Sequence, residues 1–301
     1  MVNITQKSST LRKAVAEAVV RVSEPSTMDA VKTGTVPKGN VLEFSRAAGL
    51  LACKKTYEVI PDCHPLPVEY ASISYVLEDL AIRITVEIHT VYKTGVEVEA
   101  MHGAVITALT LYDMLKPIDT GIVIGDIRLV SKQGGKSDIK HAYPEDLPVA
   151  IITVNDQVNS GAAPDKAGDT IEKHLKRHGL KNIRRVGSGE SAKAISDVAR
   201  KLMSEGVLLL LFAGGSGLQP ADHTPDVVRS LIDREVPSIM ETIRSYGQQR
   251  TPYAMLARGI AGFSAKSLLI TLPGSPRGAE ESMEAVFPYI LHVFRTKNPV
   301  D

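Results

Sequence analysis

The chain has 301 residues, which is more than one compact core usually organises, so the length predicts two domains of roughly 150 residues each. Its 35 basic and 34 acidic residues nearly balance, which argues against a broad nucleic-acid-binding surface and leaves only local pockets for small anions. Two cysteines exclude a disulfide framework and a multi-cysteine zinc site, and the chain opens with no charged-then-apolar leader, so we expect a cytoplasmic protein.

The first half of the chain mixes helical and alternating patterns. The opening STLRKAVAEAVVRV fits a helix by its alanine content and a strand by its alternation. LEFSRAAGLLACKKTYEVI then predicts a helix, and AIRITVEIHTV, which alternates Ile82, Ile84, Val86 and Ile88 with polar residues, predicts a half-buried strand. VEVEAMHGAVITALTLYDMLK predicts a second helix, GIVIGDIRLV another strand and SKQGGKSD a mobile glycine-rich tail. These elements predict an α+β sandwich.

A polar segment, SDIKHAYPEDLP, separates the halves. It carries Pro144 and Pro148 and shows no sustained periodicity. We therefore place a linker at residues 139–148, between domains at residues 1–138 and 149–301.

The second half alternates apolar strands with amphipathic helices. PVAIITV, NIRRV and VLLLLFAGG predict strands, and KAGDTIEKHLKRHG and ESAKAISDVARKLMSEG predict helices. The longest apolar run, GVLLLLFAGG, is too short to span a bilayer, so no membrane segment is expected. This alternation predicts a doubly wound, largely parallel sheet, whose ligands bind beyond the carboxyl ends of the strands. Three turns would occupy that edge: NDQVNSG, GGSGLQPADHTPD and PGSPRG.

Three features of the first half suggest chemistry. PDCHPLP holds His64 between prolines, which would fix the direction of its ring, although a packing corner with a hydrogen-bonded histidine is the commoner explanation. Lys38 precedes Gly39 and could approach an anionic substrate closely, or be a solvated turn lysine. Asp113 and Lys116 are three residues apart and share a helix face, as a surface ion pair or as half of an acid/base site.

The motifs KGNV, CHPL, TGVEVEAM, YDMLK and GGKSD occur in one order in the first half. With them the first half resembles the MoaC family of cyclic pyranopterin monophosphate synthases, which act in molybdenum cofactor biosynthesis. The resemblance implies a ferredoxin-like plait that converts 3',8-cyclo-7,8-dihydroguanosine triphosphate into cyclic pyranopterin monophosphate with loss of pyrophosphate. It also implies no metal or redox cofactor for this half, and a hexamer with sites between subunits.

The same resemblance assigns roles to residues. Lys38 and Lys116 would be acid and base, because a lysine pair whose pKa is lowered by burial and mutual repulsion can transfer protons, and Asp113 would orient Lys116. Asn3 and Asn40 stand where the family commonly has aspartate. The pterin precursor would be bound by His64, Glu97 and Glu99 at its amide-like edge and by Lys7, Arg12, Lys132 and Lys136 at its triphosphate.

Two turns of the second half are suited to phosphate. In AGGSGLQPADHTPD three glycines let backbone amides face an anion, Asp222 could carry magnesium, and Thr224 before Pro225 predicts a helix N-cap. PGSPRG repeats the pattern with Gly274 and Ser275 at a helix start. A tight strand-to-helix turn without a ligand is the alternative.

GGSG followed by Asp-His-Thr-Pro, together with REVPSIMETIR and LPGSPRGAEES, makes the second half resemble the MoaB/MogA family. Active members of that family adenylylate molybdopterin with magnesium and ATP. Gln157 replaces the family's arginine, and VGSGES replaces an acidic turn thought to help bind magnesium, with Glu190 as the candidate substitute. The site implied by the resemblance consists of Asp156, Gly214, Gly215, Ser216, Gly217, Asp222, Glu241, Gly274 and Ser275, with Asp222 as the magnesium ligand.

The joint motifs therefore predict a fusion that serves an early and a late step of one pathway, with a pterin precursor and molybdopterin as its ligands. Because the first family is hexameric and the second commonly trimeric, we expect a hexamer or another trimer-based homo-oligomer. Two alternatives stay open. The second half is a non-catalytic pterin-binding or oligomerisation module, or the chain is an unrelated two-domain nucleotide-binding protein in which GSGESA mimics a dinucleotide motif.

Overall fold

The computed structural model describes residues 1–135 and 143–295, and the chain divides into two compact units, Met1–Lys140 and His141–Asp301. The predicted linker, 139–148, overlaps the residues outside this description, so its limits stay a prediction. Within the described ranges, no helix has both the length and the apolar character needed to cross a membrane.

The first unit is a four-stranded antiparallel sheet with helices packed against it. The sheet order is β2-β3-β1-β4, and α4 packs on β1, β3 and β4. The α+β arrangement agrees with the sequence pattern. The elements are β1 (Thr10–Arg21), α1 (Pro25–Thr33), α2 (Val41–Lys54), α3 (Thr56–Val59), β2 (Tyr70–Leu77), β3 (Ala81–Tyr92), α4 (Glu97–Leu115) and β4 (Val123–Gln133).

The ambiguous opening segment is strand β1. It lies between β3 and β4 at the centre of the sheet, and its alternate residues Ala14, Ala16 and Ala18 are buried beneath the helices. The pairing of a central strand with two neighbours outweighs the helix propensity of alanine. The predicted glycine-rich tail is partly wrong, because β4 continues through Gln133, which pairs with Lys13.

Helices α2 and α4 pack closely through two glycines. A Cβ atom added at Gly49 would lie 2.0 Å from Thr107 Oγ1, and one added at Gly103 would lie 2.3 Å from Cys53 Sγ. The absence of side chains at these positions lets the helix axes approach, which fixes α4 above the sheet.

The second unit is a three-layer α/β fold around a mixed six-stranded sheet in the order β6-β5-β7-β10-β9-β8. The first four strands are parallel and the last two pair antiparallel. Two short 3-10 helices are also present, Pro252–Leu256 and Tyr289–Phe294. The elements are β5 (Val149–Val154), α5 (Asp156–Asn159), α6 (Lys166–Arg177), β6 (Ile183–Ser188), α7 (Ala192–Ser204), β7 (Leu209–Ala213), α8 (Thr224–Leu231), β8 (Arg234–Glu235), α9 (Pro237–Gln248), β9 (Ala261–Ser264), β10 (Ser267–Leu272) and α10 (Pro276–Val286).

Strands β5, β7 and β10 are buried along their whole length, because helices cover both faces of the sheet. One apolar cluster includes residues of α6 and α10, and the cluster on the other face includes residues of α7 and α8. The carboxyl ends of these three parallel strands meet at one edge, and the three predicted turns follow directly from them.

Candidate functional site

In the first unit, the structure brings together three predicted catalytic residues. Asp113 lies near the end of α4, and Lys116 follows the helix as its C-cap. Lys116 Nζ lies 2.8 Å from Asp113 Oδ1, and Lys38 Nζ lies 2.8 Å from Asp113 Oδ2. Lys38 also donates to the Asp113 carbonyl at 2.8 Å, from a turn that Gly39 closes at φ +90°. We call these three residues the α4 C-terminal group.

Attraction dominates the electrostatics of this group. Hydrogen bonds from Lys116 first, and then from Lys38, lower the pKa of Asp113 to about 2. The hydrogen bond to Asp113 raises the pKa of Lys116. The expectation that burial and mutual repulsion lower the pKa of a lysine here is wrong for Lys116, because its side chain is exposed and a carboxylate separates it from Lys38.

A second set of predicted residues surrounds the start of α4. Glu97 Oε1 lies 3.3 Å from Lys132 Nζ on β4. Arg12, near the start of β1, donates from Nε to the Tyr92 carbonyl at 3.3 Å. Lys7 precedes β1 and is exposed, and Lys136 lies outside the described residues.

His64 and Glu99 complete this set. Glu99 is buried, burial raises its pKa, and it accepts a hydrogen bond from Cys63 Sγ at 3.3 Å. The neighbouring His64 donates from Nε2 to the Val2 carbonyl at 2.8 Å. The imidazole therefore faces the amino-terminal segment. We call Arg12, His64, Glu97, Glu99 and Lys132 the α4 N-terminal group.

The two groups lie at opposite ends of one helix. Helix α4 runs from Glu97 to Leu115, and a rise of 1.5 Å per residue separates Glu97 from Lys116 by about 28 Å. A pterin precursor cannot contact both groups of one chain at its reacting ring. The structure therefore brings the predicted residues together as two separate groups, one at each end of α4.

In the second unit, a cavity of about 890 Å³ opens at the carboxyl ends of β5, β7 and β10. All three predicted turns contribute to its lining, as expected for ligands of parallel sheets. Asp156 lies beside the lining residue Glu190, whereas Glu241 is exposed on α9 and does not line the cavity. The predicted residues that do line the cavity are Gly214, Gly215, Ser216, Gly217, Asp222, Gly274 and Ser275.

The loop after β7 requires glycine. Gly214 has φ +106°, and a Cβ atom there would lie 2.4 Å from the Val154 carbonyl oxygen. Gly215 has φ +58°, and its Cβ would lie 2.4 Å from Thr224 Oγ1. The predicted N-cap at Thr224 is wrong by one residue, because His223 is the N-cap and Thr224 begins α8 beneath the loop.

Arg258 holds the same loop in place and was missed by the sequence analysis. Its Nε donates to the Gly217 carbonyl at 2.9 Å, its Nη2 donates to the Asp222 carbonyl at 2.5 Å, and its guanidinium contacts Asp226 at 3.2 Å. These partners lie 32 to 41 residues away along the chain, so no local sequence pattern indicates the contact. Arg258 thereby fixes these two carbonyls, whereas the Gly214 amide, which the sequence analysis expected to face an anion, donates instead to the Leu272 carbonyl at 3.2 Å.

The carboxylates of the cavity differ in their partners. Asp165 accepts from Arg185 at 2.5 Å and from Thr153 at 2.8 Å, so its charge is neutralised. Asp222 and Glu190 form no ion pair within the described chain; Asp222 Oδ2 accepts from the Gln219 amide at 2.8 Å. Their uncompensated charge makes them the cavity's candidate cation ligands.

At the third turn, the chain starts a helix that faces the cavity. Ser275 is the N-cap of α10, and its side chain accepts from the Gly278 amide at 3.2 Å. A Cβ atom at Gly274 would lie 3.0 Å from Gly214 Cα, so two glycine turns meet here. Unpaired amides at such a helix start favour phosphate or carboxylate groups.

Family comparisons agree with this division of the chain. The model of the MoaC family matches residues 1–135, and the model of the probable molybdopterin binding domain matches residues 150–292. The first half is 46% identical to the cyclic pyranopterin monophosphate synthase of Clostridium perfringens, over 46% of this chain and 87% of that protein. The crystal structure of the molybdopterin biosynthesis enzyme MoaB from Thermus thermophilus is 36% identical over 51% of this chain and 99% of its own, with a TM-score of 0.46.

A relative with both halves is similar along its length. The molybdenum cofactor biosynthesis bifunctional protein of Chlorobaculum tepidum is 32% identical over 98% of this chain and 93% of that protein. The two resemblances noted from motifs are thereby confirmed. The chain belongs to the family of molybdenum cofactor biosynthesis bifunctional proteins, with a MoaC-family first half and a molybdopterin-binding-domain second half.

Proposed function

We propose that the first half converts 3',8-cyclo-7,8-dihydroguanosine triphosphate into cyclic pyranopterin monophosphate with release of pyrophosphate, without a metal or redox cofactor. The α4 C-terminal group carries this proposal, since it places two lysines on one carboxylate at 2.8 Å. In the single chain Asp113 raises the pKa of Lys116, so this lysine carries the proton that a general acid donates, but efficient transfer requires a pKa nearer the working pH. The order β2-β3-β1-β4, with helices between β1 and β2 and between β3 and β4, supports assignment of this half to the ferredoxin-like plait.

A second copy of the chain would complete the site. The α4 N-terminal group offers Arg12 and Lys132 for the triphosphate and Glu97 for the purine-derived edge, but it lies about 28 Å from Lys116 along α4. Contact between the two ends of α4 in different copies joins acid, base and phosphate ligands. It also buries the lysines, and burial lowers a lysine pKa toward the range of a general base. A hexamer or another trimer-based homo-oligomer provides such interfaces.

Subunit mixing tests the shared site. We expect Lys116→Ala and Glu97→Gln to be inactive as pure proteins, because each removes one half-site from every copy. After subunit exchange, an equal mixture should regain about a quarter of the wild-type rate, since one interface in four receives both intact half-sites. A matched mixture of Lys116→Ala with Lys38→Ala, altered in the same half-site, should stay inactive. No recovery despite exchange demonstrated by mass spectrometry would place the site within one chain.

The second half, in the same proposal, binds molybdopterin in the 890 Å³ cavity and adenylylates it with ATP. Phosphate binding by backbone amides is supported by the glycine loop after Gly214, whose own amide is already paired, and by Arg277 in the first turn of α10. The donor set fits magnesium, because Asp222 and Glu190 supply hard oxygen ligands and substrate phosphates supply others. Magnesium, when bound, would offset charge on the phosphates, and Arg258 would keep the loop in its binding geometry.

A non-catalytic pterin-binding module is the second candidate for this half. The turn after β6 lacks the acidic pair of active MoaB/MogA members. In this turn the Glu190 side chain accepts a hydrogen bond from the Asp156 amide at 3.4 Å. In that case Glu190 serves the turn and not a metal. A cytoplasmic location is part of the proposal under both candidates, and the free cysteines Cys53 and Cys63 support it.

Glu190→Gln separates the two candidates. If Glu190 is a magnesium ligand, the variant binds molybdopterin normally but requires about tenfold or more magnesium for adenylyl transfer. Asp197→Asn, in an exposed ion pair with Lys193 on α7, is the matched control and should behave as wild type. Molybdopterin binding by the wild-type protein without any adenylylated product would establish the non-catalytic module.

A further inference from the structure

A histidine and two glutamates form a separate cluster between α6 and α10. Their ligand atoms, one from each of His174, Glu280 and Glu284, lie within 4.8 Å of one another. Glu280 and Glu284 are four residues apart on one face of α10, and His174 faces them from α6. None of the three lines the cavity at the strand ends.

His174 is unusual for its lack of partners. Its side chain is only 4% exposed, and neither ring nitrogen has a hydrogen-bond partner among the described residues. Nε2 lies 4.0 Å from Glu280 Oε1, which is too far for a hydrogen bond. The N–H group of a buried imidazole normally has a hydrogen-bond partner. An unpaired ring that faces two carboxylates therefore indicates a ligand that binds between them.

We propose that His174, Glu280 and Glu284 bind a divalent transition-metal ion, with zinc as the probe, and thereby join α6 to α10. Two donors on one tetrahedral zinc ion lie about 3.3–3.5 Å apart, whereas the ligand atoms here are separated by 4.0 Å in one pair and by up to 4.8 Å in the cluster, so side-chain rotation by about 0.5–1.5 Å closes the site. One neutral imidazole and two carboxylates balance the charge of a divalent ion. Water would complete the coordination, as in zinc sites with three protein ligands.

The surroundings support a ligand role for these groups. Tyr246 OH donates to Glu284 Oε2 at 2.9 Å, which orients the carboxylate from outside the cluster. Both helices pack through apolar residues on the same face of the sheet, so the ligands are held by rigid elements.

Zinc titration of the full chain in the absence of pterin, ATP and magnesium tests the proposal. Wild-type protein should bind zinc at micromolar concentration in titration calorimetry. Bound zinc should raise the midpoint temperature of thermal unfolding of the second unit. Cobalt should give visible d–d absorption. His174→Gln and Glu280→Gln should each weaken zinc binding about tenfold or more. Glu281→Gln is the control, because Glu281 lies on the same helix but pairs with Arg277.

Two results would overturn the proposal. One is no zinc binding by wild-type protein under these conditions. The other is equal zinc affinity in wild type and Glu280→Gln, which would place the ion elsewhere on the chain. Glu280 is exposed, so its variant folds even if replacement of the buried His174 disturbs the helix pair.

Discussion

The pKa of Asp113 is the most direct test of the ion pairs in the first half. Its pKa should be about 2 in a carboxyl-carbon NMR titration, against an ordinary value of 3.8. Lys116→Ala should raise this pKa more than Lys38→Ala, because Lys116 is the larger cause. Lys32→Ala, an exposed lysine at the end of α1, should leave it unchanged. A wild-type pKa near the ordinary value would show that the ion pairs do not form in solution.

The sign of the pH dependence follows from this depressed pKa. Asp113 is ionised in the folded state down to about pH 2, while the unfolded chain takes up its proton near its ordinary pKa. The contribution of Asp113 to stability is therefore full above the unfolded pKa and falls as the pH drops through the folded pKa. In Asp113→Asn, this part of the acid dependence should disappear from the unfolding profile of the first unit.

Gly214 tests the loop that lines the second cavity. Alanine at position 214 would have to adopt φ +106°, and its Cβ would lie 2.4 Å from the Val154 carbonyl oxygen. Gly161 also has a positive φ, +77°, but a Cβ atom added there has no other atom within 4 Å. We expect Gly161→Ala to cost about 1 kcal/mol in unfolding free energy and to keep molybdopterin binding. Gly214→Ala should cost about 2–4 kcal/mol and lose binding. Equal losses in urea unfolding would contradict the proposed role of backbone crowding.

The sequence indicated many of the individual residues of the candidate sites but not how these residues contact one another. Gly214, Asp222 and Ser275 belong to local motifs and line the cavity as expected. Arg258 acts through partners far along the chain, and Glu241 was carried over from a motif although it is exposed away from the cavity. Contacts between residues far apart in the chain leave no local sequence pattern. Residue roles were therefore predicted best where neighbouring residues of one turn form the site.

At the scale of elements, the packing of α2 on α4 has a specific prediction. Gly103→Ala places a methyl group 2.3 Å from Cys53 Sγ, so we expect a loss of about 1–3 kcal/mol in the unfolding free energy of the first unit. Cys53→Ala removes that sulfur, and the double variant Cys53→Ala/Gly103→Ala should be more stable than Gly103→Ala alone. Calorimetry of the full chain measures both. Additive losses would show that the helices adjust without contact between these positions.

Strands with regular apolar patterns were predicted well, whether one face or both faces are buried. The alternation over Ile82, Ile84, Val86 and Ile88 became β3, with all four side chains buried, and the apolar runs became β5 and β7. Strand β2 was not predicted, because only Ile73 is fully buried and small or polar residues interrupt the apolar alternation. The state of β1 depended on its two neighbours in the sheet, which no window of sequence contains.

At the scale of the molecule, the separation of the predicted residues of the first half into two groups follows from the length of α4 and its packing on the sheet. The sequence shows the motifs in order but not that the helix separates them by about 28 Å. The two units have separate cores, and the residues of each candidate site belong to one unit. This separation predicts that damage to one site spares the other.

The central claim is that one chain carries two independent reactions of molybdenum cofactor biosynthesis. The direct measurement supplies the cyclised GTP derivative in one assay, and molybdopterin, magnesium and ATP in another, with both products followed by mass spectrometry. Wild-type protein should form both products, Lys116→Ala should lose only cyclic pyranopterin monophosphate, and Asp222→Ala should lose only adenylylated molybdopterin, each by about 10²–10⁴-fold. Loss of both products in either single variant, or the absence of either product from wild-type protein, would contradict the account.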